Sequence, residues 1–568
     1  MKKKSFYINC IYFAVSVTSV YADNVGDASK EADKIIRLQQ QQLEQQRKDE
    51  MLNRSKTVIP VEAVRLPEQQ SIGICTLVTE IEIEHADMMA DDVRQEIVRK
   101  YKGKCLGIGE IERLIGEIVN TYIARGYISV RAYVQPQDLA NGKLRILVIE
   151  GSVESININH NESLNNDNIN LSTAFPWIEG RILNIRDIEQ GLDQINRLSS
   201  NSATMRIEPG KKAGGSRIVI ENIPSYRLHL NTSVDNYGSS STGERQGSAF
   251  ISIDNPLNLN DLFTYSHTRT LNTDFASQHS MVNAISYSIP FGYTTLSLSH
   301  SRSDYAATIH AAGGDLLSEG DTKNTSLSME YVAYRDTTDR LSFDAAMGSK
   351  GTNSYLEKQY LNVSSRKLST FTLGTAWNSI FLGGGITMTL NHVWGMKWFD
   401  ALEDPDYLPE TSPHAQFRKW TYGVNWMKPF QIGEKSGLYS VSLNGQYGTD
   451  VLYGSEQFSI GGLYSVRGSR NSSIAGDTGF YVRNDIAFPN TFSIDGKNCR
   501  IKPSIGFDFG EIRDRYGEQG GFMSGLNGGI NIAYSAITFD LSVSRSLSKP
   551  DTLKDESTLV FAKLNIGF

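Results

Sequence analysis

From Pro224 to Phe568 the chain alternates, and this constrains its fold more than anything else in the sequence. "AITFDLSVS" puts Ile537, Phe539, Leu541 and Val543 on one face and Thr538, Asp540, Ser542 and Ser544 on the other. "LYSVSLNGQY" sets Tyr439, Val441, Leu443 and Tyr447 against Ser440, Ser442, Asn444 and Gln446, and "GITMTLNH" repeats the pattern with Ile386, Met388 and Leu390. A period of two is that of a strand with one apolar face. The runs are about as long as a strand that crosses a bilayer at a tilt, and turn residues separate them. Five of the six tryptophans (Trp377, Trp394, Trp398, Trp420, Trp426) fall here, as the aromatic girdles of a membrane barrel require. A water-soluble sandwich also alternates. The last segment, "TLVFAKLNIGF", favours the barrel, because it ends on an aromatic, Phe568, carried by a strand. At roughly 20 residues per strand and turn, 224–568 holds about sixteen strands.

The other end of the chain points to export. Residues 1–22, "MKKKSFYINCIYFAVSVTSVYA", have a basic start, a short apolar middle and small residues before a cleavage point, so a signal peptide is expected, with Asp23 as the mature start. The apolar run is short for an anchor helix, and no later segment has the ~20 apolar residues of a membrane helix. Cys10 leaves with the leader. Cys75 and Cys105 then form a plausible disulfide in an oxidising compartment, with Cys499 far away.

Residues 23–52 are rich in helix formers and poor in large apolars, and a helix of about 20 residues there would be ~30 Å long. A helix without an apolar face cannot join an ordinary core, so it is either a solvated leader or housed in a polar channel. Residues 53–70 read as a Pro-containing linker.

Residues 71–150 change character. "TLVTEIEIE" alternates, with Thr79, Ile81 and Ile83 on one face, and Val93, Ile97 and Tyr101 have helical spacing. Ile111, Leu114, Ile115, Ile118 and Tyr122 form a helical stripe that Gly126 is placed to end. Two strands follow, giving β-α-α-β-β. The order returns over 151–223, with a helix carrying Ile185, Ile188, Leu192, Ile195 and Leu198 inward, which argues a tandem duplication.

Several function classes are excluded or left without support. The net charge of −7 has no basic block, so nucleic acid is not an expected partner. No phosphate loop, nucleophile elbow or metal-ligand spacing occurs, and neither an enzyme activity, a cofactor nor a metal is expected.

Read together, the segments resemble the ShlB/FhaC/HecB haemolysin secretion/activation family, outer-membrane transporters of two-partner secretion. "CLGIGEIERLIGEIVNTYIARGYISVRAYVQPQDLANGKLRILVIEG" resembles the first POTRA domain of that family, and "INRLSSNSATMRIEPGKKAGGSRIVI" the second. "DNYGSSSTGERQGSAFISIDNPLNLNDLF" resembles the opening strands of the barrel, and "GDTGFYVRNDIAFP" a later strand pair. In "GGLYSVRGSR", Val466, Arg467 and Gly468 match the family's V-R-G-aromatic motif on the sixth extracellular loop, with Ser469 where an aromatic is usual. "FDFG", with Asp508 and Gly510, resembles an element of a neighbouring strand.

The resemblance implies an outer-membrane barrel, here a monomer, with its POTRA domains in the periplasm. It would export a partner exoprotein of haemolysin, adhesin or contact-inhibition-toxin type. The expected surroundings are outer-membrane lipid and the barrel-assembly machinery that inserts it, with Phe568 as the insertion signal. A barrel-assembly insertase shares the POTRA domains and the Arg/Asp pair, but two POTRA units and a leading helix favour the exporter. A passive pore needs no such modules.

The two charges lead to one role by physical argument. Ile505, Phe507 and Phe509 share a strand face, so Asp508 points the other way, into the lumen if the apolars face lipid. An unpaired carboxylate in a constricted lumen is costly, and a guanidinium is its bidentate partner. Arg467 and Asp508 are therefore expected to latch the loop inside the pore, as against a surface arginine and a hydrated aspartate.

Overall fold

Sixteen long antiparallel strands close on themselves to make the body of the molecule. The computed structural model describes residues 29–45, 57–59, 62–66, 75–159, 169–272, 274–311, 314–517 and 520–568. The expected signal peptide, 1–22, lies outside the described residues, as do the ends of the 23–52 segment and parts of the 53–70 linker.

The barrel begins with Leu228–Asp235 and ends with Leu559–Gly567, which pair antiparallel to close the cylinder. That seam is short, five residue pairs from Lys563↔Asp235 to Gly567↔Asn231. Phe568 extends it: its N–H donates to the Leu230 carbonyl at 2.8 Å, and its own carbonyl accepts from the Leu230 N–H at 3.2 Å. The alternation is realised as two faces. Ile505 (60% exposed) and Phe507 look outward, while Asp508 is fully buried within. "GDTGFYVRNDIAFP", expected as a strand pair, is instead one barrel strand, Thr478–Ala487, continued after a two-residue break by Asn490–Ile494 along the same neighbouring strand. Thr478–Ala487 pairs without a break with one stretch of the next strand, from Arg513 to Ser504, so the chain does not reverse within it.

A helix over residues 29–45 (α1) lies inside the cylinder. Gln39 donates to Ser280 Oγ on one wall at 2.8 Å, and Asp33 pairs with Arg366 on another. The helix is not polar all round, as its composition suggested. Ala32, Ile35 and Ile36 are buried, and Ala32 and Ile35 pack on Tyr305 and Ala307 of the wall. Spacings of three and four place these few apolars on one side, enough for a narrow contact stripe.

The first α+β unit runs β1 (Thr76–Val78), β2 (Glu80–Glu84), α2 (Asp91–Tyr101), β3 (Lys104–Leu106), α3 (Ile108–Ala124), β4 (Arg131–Val134) and β5 (Lys143–Ile149). β2 is parallel to β5 and β4 antiparallel to it, so the sheet order is β2-β5-β4. Leu114, Ile118 and Tyr122 of α3 are buried on this sheet, and Gly126 at φ 93° ends the helix. Burial, then the Glu150 carboxylate that its hydroxyl contacts at 2.6 Å, push the Tyr122 phenol up. Thr79 departs from the sequence reading: it is exposed, in a break between β1 and β2 where its N–H and that of Glu80 both donate to the Gly142 carbonyl. The break shifts the register, so Val78 is buried in place of Thr79. β1 pairs with β3, and the Cys75–Cys105 disulfide staples this pair, with its Cα atoms 5.3 Å apart.

The second unit repeats the plan with β6 (Ser152–Ile158), a one-turn α4 (Leu171–Ala174), α5 (Ile185–Asn196), β7 (Ala203–Pro209) and β8 (Gly215–Asn222), in sheet order β6-β8-β7. Ile185, Ile188, Leu192, Ile195 and Leu198 are buried. α5 also docks on the barrel rim. Gln190 and Gln194 donate to the Gly292 carbonyl at 3.2 and 2.9 Å, and Tyr293 donates to Asp187 at 2.6 Å. Arg335, buried at the end of a barrel strand, meets Asp193 at 2.5 Å and Glu189 at 3.3 Å, and donates to the Thr57 carbonyl of the linker at 2.6 Å.

Candidate functional site

The connection 449–477 lies at the end of the barrel away from the α+β units, yet much of it is buried. It folds inward as a hairpin, Phe458–Ile460 paired with Ile474–Gly476. The tip between these strands carries the arginine. Arg467 donates from Nε to Asp508 Oδ2 at 2.5 Å and from Nη2 to Oδ1 at 2.6 Å, a two-point fork on one carboxylate. Its backbone N–H reaches Oδ2 at 3.0 Å, and Nη2 also pairs with Asp485 at 2.9 Å. Asp508 is fully buried and Arg467 is 6% exposed. The pair expected from the sequence is therefore brought together, on the luminal face.

The neighbours explain how a loop backbone comes this close to a barrel wall. Gly525 stands directly across from Asp508 in the ladder, and a Cβ there would collide with the Arg467 carbonyl oxygen. Gly506, two residues before Asp508 on the same face, would place a Cβ 2.5 Å from Arg467 Nη2. The wall is thus cut away under both the backbone and the guanidinium. Gly468, at φ 121°, turns the tip; a Cβ on it would lie 2.5 Å from the Ser546 nitrogen. Gly510 keeps its strand close to Tyr481, since a Cβ would stand 2.6 Å from the Phe480 carbonyl oxygen. Val466 is buried with Ile460, Tyr481, Ile512 and Met523. Ser469, where an aromatic would be usual, is buried and donates to the Ser472 carbonyl at 2.7 Å. It closes the tip by hydrogen bonding in place of ring packing.

Two further anchors hold the same loop. Glu556, from the last loop of the barrel, accepts from the backbone N–H groups of Arg470, Asn471 and Ser472 at 2.9, 3.0 and 2.7 Å. At the other end of the loop Glu456 is gripped by Lys350 and Lys419, each at 2.9 Å. α1 joins this anchor: Arg37 donates to the Gly454 carbonyl at 2.7 Å and Gln41 to the Ser459 carbonyl at 3.1 Å. Helix and loop share the lumen with cavities of about 380 and 310 Å³. Among the described residues no group of three or more His, Cys, Asp or Glu is placed to hold a metal ion.

Comparison with known proteins places this geometry. The model for "Haemolysin secretion/activation protein ShlB/FhaC/HecB" matches residues 214–532, preceded by an ShlB-type POTRA domain at 76–151 and a further POTRA domain at 152–209. The outer membrane transporter CdiB of Escherichia coli is 31% identical over 542 residues, 94% of this chain and 90% of that one. The chain belongs to the haemolysin secretion/activation family. It is an outer-membrane transporter, with its POTRA domains on the periplasmic side. The hemolysin transporter protein HpmB of Proteus mirabilis is 31% identical over 452 residues, 78% of this chain and 77% of that one. The solved structure of CdiB from Escherichia coli superposes with a TM-score of 0.85 at 29% identity, covering 94% of this chain and 98% of that one. In this transporter the hairpin 449–477 is the sixth loop on the extracellular side, and residues 76–209 form the two POTRA domains.

Sequence reasoning missed Asp485, Glu456, Lys350, Lys419 and Glu556, whose partners are far away in the chain. Gly506 was within reach: a glycine two places from a luminal aspartate, on the same strand face, marks a spot where another chain lies close.

Proposed function

We propose that this protein captures an extended exoprotein with its POTRA domains, as a strand added to an exposed sheet edge, and passes it outward through the barrel. At rest the sixth loop and α1 occupy the lumen; both rearrange for transport. Arg467 and Asp508 are the latch that sets the resting position of the loop, supported by Val466, Gly468 and Gly510. The observation that carries this reading is the buried two-point contact of Arg467 with Asp508, beside a second luminal occupant. The passenger is the kind of exoprotein exported by the haemolysin and contact-inhibition transporters, and its folding outside supplies the drive. The barrel-assembly machinery inserts the barrel as a monomer in outer-membrane lipid, reading Phe568.

Co-expression with a partner exoprotein of the haemolysin or contact-inhibition type tests the reading. The passenger is expected in the medium with the wild type and in the periplasm with Arg467→Ala, while both barrels remain heat-modifiable in the outer membrane. Equal export by the variant would overturn the latch. A general loss of other outer-membrane proteins on deleting the gene would favour an insertase.

A further inference from the structure

The loop Phe175–Ile178 of the second POTRA domain carries a tryptophan that folding in water alone does not account for. Trp177 is 74% exposed, and its backbone sits at φ 56°, in the left-handed region that a bulky residue rarely occupies. Its place is nevertheless fixed. The N–H of Gly292, in a periplasmic turn of the barrel, donates to the Thr173 carbonyl at 2.8 Å. A Cβ on Gly292 would lie 2.8 Å from Pro176 Cγ, so Pro176 is seated directly on that turn. With its neighbour locked, the Trp177 ring stands edge-on to Phe291, centroids 5.2 Å apart.

Phe291 belongs to the lipid face of the barrel. It lies opposite Thr294, Thr294 opposite Tyr331, and Tyr331 opposite Phe343, so all four share one face in one row of the ladder, close to the periplasmic turns. Phe291, Tyr331 and Phe343 are 45, 47 and 51% exposed, as an aromatic row at the membrane boundary would be. Trp177 continues this row from the barrel onto the POTRA domain.

We propose that Trp177 is a membrane contact of the second POTRA domain, with its ring among the headgroups and upper acyl chains of the periplasmic phospholipid leaflet. The indole suits that layer, its apolar body meeting hydrocarbon while its N–H stays hydrated. The contact would hold the domain against the leaflet as well as against the barrel rim. This goes beyond export itself and needs only the membrane position of the barrel.

Fluorescence quenching of the full-length protein tests it. Wild type and Trp177→Phe are reconstituted in phosphatidylethanolamine/phosphatidylglycerol vesicles, and the difference between their spectra isolates Trp177 from the other five tryptophans. The difference emission is expected to be quenched by lipids brominated near the headgroup more than by lipids brominated deep in the chain, and to resist aqueous iodide. Full quenching by iodide with no effect of brominated lipid would overturn the proposal. So would iodide protection that arises only when an exoprotein fragment is added, which would make Trp177 a passenger contact. Heat modifiability confirms that the Phe variant is folded, and a nitroxide on Trp177→Cys, read for oxygen against nickel-chelate collisions, gives the depth independently.

Discussion

With Asp508 fully buried and Arg467 nearly so, removing Arg467 strands a carboxylate away from water, and removing Asp508 leaves the guanidinium with Asp485 alone. That typically costs about 3–5 kcal/mol, against ~0–1 for an exposed pair. Arg467→Ala and Asp508→Ala are therefore each expected to lower barrel melting and sharply reduce export, and the double variant to be no worse than either single. Additive losses in the cycle would mean that the two residues do not act as a unit. Arg467→Lys should restore only part of the function, since an ammonium cannot make the two-point contact. Gly506→Ala offers a subtler check: its methyl would displace the guanidinium without removing a charge, so export should fall while both ionic partners remain. At this scale the pair was legible because alternation fixed the direction of Asp508. The clearances at Gly506 and Gly525 were not, because a glycine reports the space it leaves only once its neighbours are placed.

Among the elements, α1 repays closer attention. Its buried stripe is narrow, and most of its contacts with the wall and the sixth loop are polar. Such a helix is held firmly enough to sit and loosely enough to leave. Deleting residues 23–52 is expected to raise single-channel conductance in planar bilayers; unchanged conductance would remove its blocking role. Composition hid the stripe because Ala32 contributes little hydrophobicity, although its spacing from Ile35 and Ile36 was visible. Thr79 was misplaced for another reason: the break after β1 depends on the Gly142 carbonyl, more than sixty residues on. The β1–β3 pair is short, and its staple matters accordingly. Closing a loop with a sequence separation of 30 is worth about 3–4 kcal/mol on the chain-entropy model. Cys75→Ser/Cys105→Ser should lower the melting of the first POTRA domain by that order and leave the barrel transition unmoved, as calorimetry of the full-length protein would show.

For the whole molecule, the periplasmic units have two apolar cores of their own, neither drawing on barrel residues. Deleting 71–223 should leave a heat-modifiable barrel in the outer membrane and abolish export; export at the normal level would refute capture by these domains. Removing Phe568 should do the reverse, impairing insertion through the loss of two hydrogen bonds from a five-pair seam while the periplasmic units still fold. The order of barrel and POTRA units could be read from periodicity alone. Their joint could not, because Arg335 finds Glu189 and Asp193 across more than 140 residues. Arg335→Ala takes away the cation of Asp193 and leaves Glu189 paired with Arg186 alone, and the joint should become sensitive to protease without loss of the barrel.

Arg335 also grips the carbonyl of Thr57, and α5 takes the next part of the same segment, the Thr57 and Ile59 N–H groups donating to Asp193 and Glu189 at 2.6 and 2.8 Å. Only residues 46–56 separate this clamp from the end of α1. Fully extended, eleven residues reach about 40 Å. On the proposed cycle, a helix that leaves the lumen would stay on this leash, and its return would be a first-order step, independent of how many copies the cell holds. Each export cycle can then reset itself, and lengthening the leash should slow the resealing of the channel without changing how readily it opens.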